Sequence, residues 1–180
     1  ILLDWLDRNR PEFLERVATL VRRGQCGLLA GAYHEPILPP IPRHDQVGQV
    51  AALADRLEKR FGVRPRGMWL AERVWEPGLP AALSDAGMEF TLLDGTHFAQ
   101  VGFGEDAMSG RWLTESEGKT ISVYPIHDRV RDLVASVLPD GDDAASAEID
   151  SFVFSDDDNA PALDAVYRKT VAVRNGKKVR

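Results

Sequence analysis

The sequence is poor in cysteine, in long hydrophobic runs and in clustered positive charge, and each scarcity narrows its class. Cys26 is the single cysteine among 180 residues, so no disulfide can form within the chain, a pattern that suits a cytoplasmic protein. The sequence contains no signal-peptide pattern and no apolar run of membrane-spanning length, so we expect no membrane partner. Lysine and arginine number 22 against 28 acidic residues, and no basic tract tracks a phosphate backbone. We therefore expect no nucleic-acid partner either.

Helical and strand-like segments alternate along the chain. Residues Pro11 to Arg23 and "RHDQVGQVAALADRLEKRFG" have helical periodicity, and the first helix is predicted to face the core with Phe13, Val17, Leu20 and Val21. A short helix is predicted at "PGLPAALSDAG" and another near "DRVRDLVASVL". The apolar runs "CGLLAGAY", "RGMWLA", "MEFTLLD" and "KTISVYPI" read as buried strands. This order predicts a parallel α/β architecture, either a barrel or an open doubly wound sheet.

The character of the sequence changes near residue 139. Residues 1–138 are predicted to form one α/β domain, whereas 139–180 begin with the acidic stretch "PDGDDAASAEID" and then offer one uncertain strand and helix. The chain begins without Met and reads from its first residues like the middle of a domain. We therefore expect a fragment, or a chain misread at one or both ends.

Titratable and aromatic residues follow each predicted strand. In parallel α/β folds, active sites lie at the carboxyl ends of the strands, so these residues are expected to form one site. The four groups are Tyr33-His34-Glu35, then Glu72-Arg73-Val74-Trp75-Glu76, then Asp94 with His97, and finally His127-Asp128-Arg129.

The chemistry suggested is a carboxylate site with aromatic walls. Paired carboxyl groups are the usual machinery of glycoside cleavage, and aromatic faces pack against sugar rings. Some of these residues also have a purely structural interpretation. Glu72 and Arg73 are equally consistent with a structural ion pair, and Trp69 is consistent with a core side chain. A metal site would draw on His34, Glu35, Asp94 and His97, but no short ligand spacing such as HxH or HExxH supports one.

Four segments resemble those of glycoside hydrolase family 57. They are "GAYHEPILPPIP", "RPRGMWLAERVWEP", "LLDGTHF" and "VYPIHDRVRDLV", which stand in the family's order within residues 1–134. The resemblance implies an incomplete (β/α)7 barrel that acts on α-1,4-glucans or maltooligosaccharides by a retaining mechanism, with neither cofactor nor metal. Residues 1–138 would then be part of that catalytic barrel. No feature of the sequence indicates an oligomeric state.

The same resemblance assigns roles to individual residues. Glu72 matches the catalytic nucleophile, and Glu35 matches the glutamate of the family's second motif. The substrate-binding set implied by the motifs is Tyr33, His34, Glu35, Trp69, Arg73, Trp75, Asp94 and His97.

Three departures from the family pattern leave alternatives open. The family's first motif, "HQP", is absent, and Gly95 stands where many relatives carry a second aspartate. "FVFSDDDNAPAL" offers Asp156 or Asp157 as the general acid without matching the family's "DDGEKFG" segment. From the resemblance, we still expect a 4-α-glucanotransferase or an α-amylase. The alternatives are a non-catalytic α-glucan-binding relative that lacks a general acid and a metal-dependent sugar deacetylase-like barrel.

Overall fold

The computed structural model describes residues 2–104, 110–127 and 131. The helices are α1 (Leu2–Asn9), α2 (Pro11–Arg22), α3 (Arg43–Phe61), α4 (Leu79–Asp85) and α5 (Gly95–Gln100), with a 3-10 turn at Ala71–Arg73. The strands are β1 (Leu29–Ala30), β2 (Gly67–Met68), β3 (Phe90–Asp94), β4 (Trp112–Ser116) and β5 (Lys119–Ile126). Within these ranges, none of the helices combines the length and the apolar character needed to cross a membrane.

The chain divides into two units. The first comprises Ile1–Leu92 with Leu113–Val123, and the second comprises Leu93–Trp112 with Tyr124–Arg180. The predicted boundary at residues 138 and 139, and the helix predicted near "DRVRDLVASVL" apart from its residue 131, lie outside the described residues.

The first unit is organised around a sheet with the strand order β1-β2-β3-β5-β4. β1 pairs parallel to β2, with Ala30 opposite Met68, and β2 pairs parallel to β3, with Met68 opposite Thr91. Each of these parallel connections contains a helix, as crossover connections between parallel strands usually do. The predicted parallel α/β architecture is therefore confirmed for the first three strands.

A hairpin contributes the other two described strands of the sheet. β4 and β5 are joined by the two residues Glu117 and Gly118, with φ values of 54° and 74°. Two successive positive φ angles are what a type I′ hairpin turn requires, and a connection this short joins antiparallel strands. The predicted strand "KTISVYPI" matches β5 from its first residue to its last, whereas β4 was not predicted.

Helices α2 and α3 pack together through a cluster of buried apolar side chains. Leu14, Ala18 and Val21 of α2 are buried together with Leu57 and Phe61 of α3, and half-buried Cys26 packs against this cluster.

The predicted core face of α2 is confirmed for Val21, which is buried, and for Val17, which packs against the core, but is wrong for the other two residues. Phe13 is 50% exposed and Leu20 is 41% exposed, although both were predicted to face inward. The stripe that faces inward has the spacing i, i+4, i+7 and is centred on Ala18. A small side chain contributes little to an apolar pattern, so this stripe was overlooked in favour of the larger side chains beside it.

An ion-pair network holds the hairpin against the helices. The Arg43 guanidinium, in the first turn of α3, contacts Asp85 Oδ2 at 2.7 Å and Glu117 Oε2 at 2.5 Å, and Lys119 Nζ also contacts Asp85. Hydrogen bonds from Lys119 and Arg43 hold the pKa of Asp85 below its usual value. The same network, with Glu117 as the stronger partner, raises the pKa of Arg43.

Close strand packing predicts opposite effects for two Gly→Ala substitutions. A Cβ at Gly67 would overlap the Phe90 ring on the paired strand, so Gly67→Ala is expected to lower the free energy of unfolding by about 1–3 kcal/mol or more. A Cβ at Gly48, inside α3, would meet nothing within 4 Å. Gly48→Ala is expected to stabilise by up to about 1 kcal/mol. Urea unfolding would measure both; equal midpoints would contradict the close approach.

The hairpin network predicts a pH-dependent effect of Asp85→Asn. Because the pKa of Asp85 is lower in the folded state, its stabilising contribution is complete above its unfolded pKa, near 4, and is lost as the pH falls through the folded value. The substitution should therefore lower the urea midpoint at pH 7 more than at pH 3. Lys119→Met removes one partner of the same carboxylate, so it should also lower the urea midpoint more at pH 7 than at pH 3. A difference from wild type that is unchanged between pH 7 and pH 3 would show that the carboxylate charge is not involved.

Candidate active site

The first group of predicted site residues forms a turn directly after β1. The Glu35 amide donates to the Ala32 carbonyl oxygen at 3.1 Å, and the Tyr33 and His34 rings meet edge to face with centroids 4.9 Å apart. Tyr33 is half-buried, while His34 and Glu35 are exposed. Glu35 has a φ of 50°, in the left-handed region that a residue with a Cβ seldom adopts.

The second group follows the neighbouring strand, β2. The pairing continues one residue beyond the strands, because the Trp69 amide donates to the Ala30 carbonyl oxygen at 2.9 Å. The chain then tightens into the 3-10 turn, which the Arg73 amide closes by donating to Leu70 O at 3.0 Å. Glu72 is exposed, and both Glu72 and Arg73 have left-handed backbones, with φ values of 51° and 50°.

Trp69 does not lie in the core, contrary to its interpretation as a core side chain, although the strand in "RGMWLA" is buried. Its side chain is 37% exposed, whereas its neighbours Met68 and Leu70 are fully buried. The period of two along an extended chain explains the contrast, because the side chains on either side of Trp69 take the inward positions. The Arg73 guanidinium lies over the Trp69 ring at 5.6 Å from its centroid, in cation–π geometry.

The remaining residues of this segment are less open to solvent. Trp75 and Glu76 are half-buried, and the Glu76 carbonyl oxygen accepts a hydrogen bond from the Leu79 amide at 3.1 Å. This bond leads the chain into α4. The first unit thus presents Glu35 and Glu72 on two turns that follow adjacent parallel strands.

The second unit contains another predicted pair, Asp94 and His97. Asp94 is the last residue of β3, its side chain is 19% exposed, and Arg131 Nη1 contacts its Oδ1 at 3.2 Å. His97 was predicted to lie in a loop but is half-buried within the short helix α5. His127, directly after β5, is exposed.

Two residues that the sequence pattern did not identify, Arg131 and Gln49, make polar contacts with predicted site residues. Arg131 stands inside the quoted segment "VYPIHDRVRDLV", two residues after the arginine that was singled out, so that motif could have suggested it. Gln49, on α3, accepts hydrogen bonds from the turn after β1 and carries no sequence signal. Asp156 and Asp157 lie outside the described residues. Within the part of the chain that the structure describes, no cluster of three His, Cys, Asp or Glu residues is arranged to hold a metal ion.

Comparison with known proteins finds one matching family and several similar enzymes. The family model for glycosyl hydrolase family 57 matches residues 1–148. Alpha-amylase 1 of Dictyoglomus thermophilum is 41% identical over 139 residues, which cover 77% of this chain and 20% of that protein. A 4-alpha-glucanotransferase of Thermococcus litoralis is 35% identical over 133 residues, which cover 74% and 20% of the two chains. The chain thus spans about a fifth of the length of these relatives.

The solved structures agree with the sequence relatives. The crystal structure of 4-alpha-glucanotransferase from Thermococcus litoralis superposes with a TM-score of 0.72 at 34% identity, over 76% of this chain and 22% of that one. The resemblance drawn from the four motifs is confirmed. The chain belongs to glycosyl hydrolase family 57, and its parallel strands and helices are part of that family's incomplete (β/α)7 barrel.

Proposed function

We propose that this chain carries the nucleophile of a retaining enzyme that acts on α-1,4-glucans, and that Glu72 is that nucleophile. The observation that carries the proposal is an exposed glutamate on a left-handed backbone, in the turn that follows a parallel strand and three residues after an exposed tryptophan. Support comes from the relatives, which are named as alpha-amylases and 4-alpha-glucanotransferases.

The proposed reaction has two steps. A carboxylate oxygen of Glu72 attacks the anomeric carbon while the bond to the leaving sugar oxygen breaks and the general acid protonates that oxygen. The resulting glycosyl ester is then opened by water in an amylase or by a sugar hydroxyl in a glucanotransferase. In this second step the same acid, now a base, takes the proton from the attacking oxygen, and Glu72 regains its charge.

The general acid proposed for this chain is Asp156 or Asp157, on the sequence of "FVFSDDDNAPAL" alone. A retaining mechanism requires the two carboxyl groups to stand about 5–5.5 Å apart. General acid–base catalysis contributes about 10²–10⁴-fold to the rate, so its loss would leave binding with little turnover. The departure from the family's acid segment therefore favours, as second candidate, a non-catalytic α-glucan-binding relative.

The aromatic residues are proposed as the sugar-binding surface. The Trp69 side chain is 37% exposed and is held in place by the Arg73 guanidinium over its ring, and Trp75 follows three residues after Glu72. Indole faces pack well against the apolar faces of sugar rings because they bury a large area with few rotatable bonds. Tyr33, His34, Glu35, Asp94 and His97 are proposed to bind sugar hydroxyls on the basis of their family motifs.

Backbone strain at the motif glutamates supports a functional role for them. Among the described residues, four that are not glycine have positive φ, and three of these, Glu35, Glu72 and Arg73, lie in the two motifs. The fourth, Glu117, is explained by its hairpin turn. A left-handed residue with a Cβ costs about 1–3 kcal/mol, and such strain clusters at sites where a side chain must be presented in one direction.

The nucleophile assignment predicts the fate of maltoheptaose with the purified chain. Wild type should yield longer and shorter maltooligosaccharides if it is a transferase, and only shorter ones if it is a hydrolase. Glu72→Gln should reduce turnover by about 10³-fold or more, because the amide is a poor nucleophile. Product chromatography measures both.

The matched control is Glu117→Gln, which makes the same change at another positive-φ glutamate. Its turnover should equal that of wild type. A Glu72→Gln variant with full turnover would overturn the assignment. A folded wild type that binds maltoheptaose without converting it would favour the non-catalytic relative.

Backbone strain at Glu72 predicts a reversal of the usual Gly–Ala order. With φ at 51°, Glu72→Gly should be more stable than Glu72→Ala by about 1 kcal/mol, because glycine adopts this region without a Cβ clash. At Glu58, inside α3, the glycine variant should instead be the less stable by about 1 kcal/mol. Urea unfolding of the four variants tests this, and the same sign at both positions would contradict a strained Glu72.

A further inference from the structure

Gln49, on helix α3, accepts hydrogen bonds from two consecutive amides of the turn that carries Glu35. The Tyr33 amide donates to the Gln49 main-chain carbonyl oxygen at 3.0 Å, and the His34 amide donates to Gln49 Oε1 at 2.9 Å. One residue of the helix thus satisfies two backbone donors in a turn fifteen residues earlier in the chain.

The helix that carries Gln49 is held firmly in the first unit. Val50 and Ala54 of α3 are fully buried. One turn earlier, Gln46 is also buried, and its Nε2 donates to the carbonyl oxygens of Leu38 at 3.0 Å and Ile41 at 3.1 Å. The loop between β1 and α3 is therefore fixed by two glutamines, one acting as an acceptor near the turn and the other as a donor further on.

The turn needs such an external support. Its own bond, from the Glu35 amide to the Ala32 carbonyl oxygen, closes three residues, while Glu35 itself adopts the unfavourable left-handed conformation. A strained conformation persists only where the surroundings determine it. The bonds to Gln49 come immediately before Glu35 and fix the direction from which the chain enters that residue.

We propose that Gln49 is a positioning residue that sets the Tyr33–His34–Glu35 turn and thereby the presentation of Glu35 to a bound α-glucan. The inference rests on the proposed function for the identity of the ligand, but the hydrogen bond itself can be tested without any sugar. It requires only an acceptor at the side-chain position, because the partner is a backbone N–H.

This chemistry separates two substitutions of similar size. Gln49→Glu keeps an acceptor oxygen, whereas Gln49→Met keeps the length of the side chain and loses the acceptor. Gln25→Met is the matched control, since Gln25 is an exposed glutamine in a different loop. Gln49→Ala is a second variant without an acceptor and should behave as Gln49→Met does.

The first measurement is amide hydrogen exchange by NMR. In Gln49→Met, protection of the His34 amide should fall by about tenfold, the equivalent of one neutral hydrogen bond. The Tyr33 amide, whose acceptor is the main chain of residue 49, serves as the internal reference and should keep most of its protection. Gln49→Glu should restore the His34 value. Unchanged protection of His34 in both Gln49→Met and Gln49→Ala would overturn the inference.

The second measurement is the affinity for maltoheptaose by titration calorimetry. Gln49→Met should raise Kd by about 3–10-fold, whereas Gln49→Glu and Gln25→Met should stay within about twofold of wild type. Where turnover is measurable, the loss should fall on KM rather than on kcat, because Gln49 acts through Glu35 and not on the reacting bond.

The outcomes distinguish the inference from the function on which it rests. Equal affinity of wild type and Gln49→Met would overturn the positioning role while leaving the glucan-binding function intact. A wild type that binds no maltoheptaose would contradict the proposed function. The exchange comparison would then still decide whether Gln49 sets the turn.

Discussion

Parallel pairing of β1 with β2 is the constraint on which the candidate site depends. The pairing is short, two residues on each strand, and is extended by the bond from the Trp69 amide to Ala30 O. Parallel strands end at the same edge of a sheet, so the turns that follow them begin side by side. Gly31 is where the backbones stay close: a Cβ there would lie 3.5 Å from Trp69 O. The turns carrying Glu35 and Glu72 therefore follow this paired segment, one on each strand.

Both turns then leave regular geometry in the same way. Each places a glutamate in the left-handed region within a few residues of its strand, and each is closed by a backbone hydrogen bond of three-residue span. Strands as short as these cannot hold such turns alone. The buried side of α3 supplies the rigidity for the first turn, and the fully buried Met68 and Leu70 supply it for the second. The core thus stabilises the conformations that the local sequence disfavours.

Much of this architecture can be predicted from the sequence, because it depends on apolar periodicity and on residues that end helices. β5 and α3 are long enough for their periodicity to be read, and Gly62, with φ of 76°, ends α3 as a left-handed C-cap. β4 escaped prediction because its side chains alternate between half-buried and exposed, without an apolar run. The six-residue α5 is too short for any periodicity. The sequence "EG" before β5 carried part of a hairpin signal, since glycine tolerates the positive φ of such turns.

The candidate site was predictable only where its residue types carry the proposed chemistry. Glutamate and tryptophan at a strand end identify Glu72 and its neighbours, but no propensity indicates that a glutamate adopts left-handed φ, which is favoured by glycine and asparagine. Gln49 could not be predicted from the sequence for a related reason. Its proposed role depends on a contact between a helix and a turn, and nothing in "DQVGQV" distinguishes Gln49 from a solvent-facing glutamine. Local patterns therefore reveal which groups can react. The long-range contacts that hold those groups in place emerge only from the folded chain.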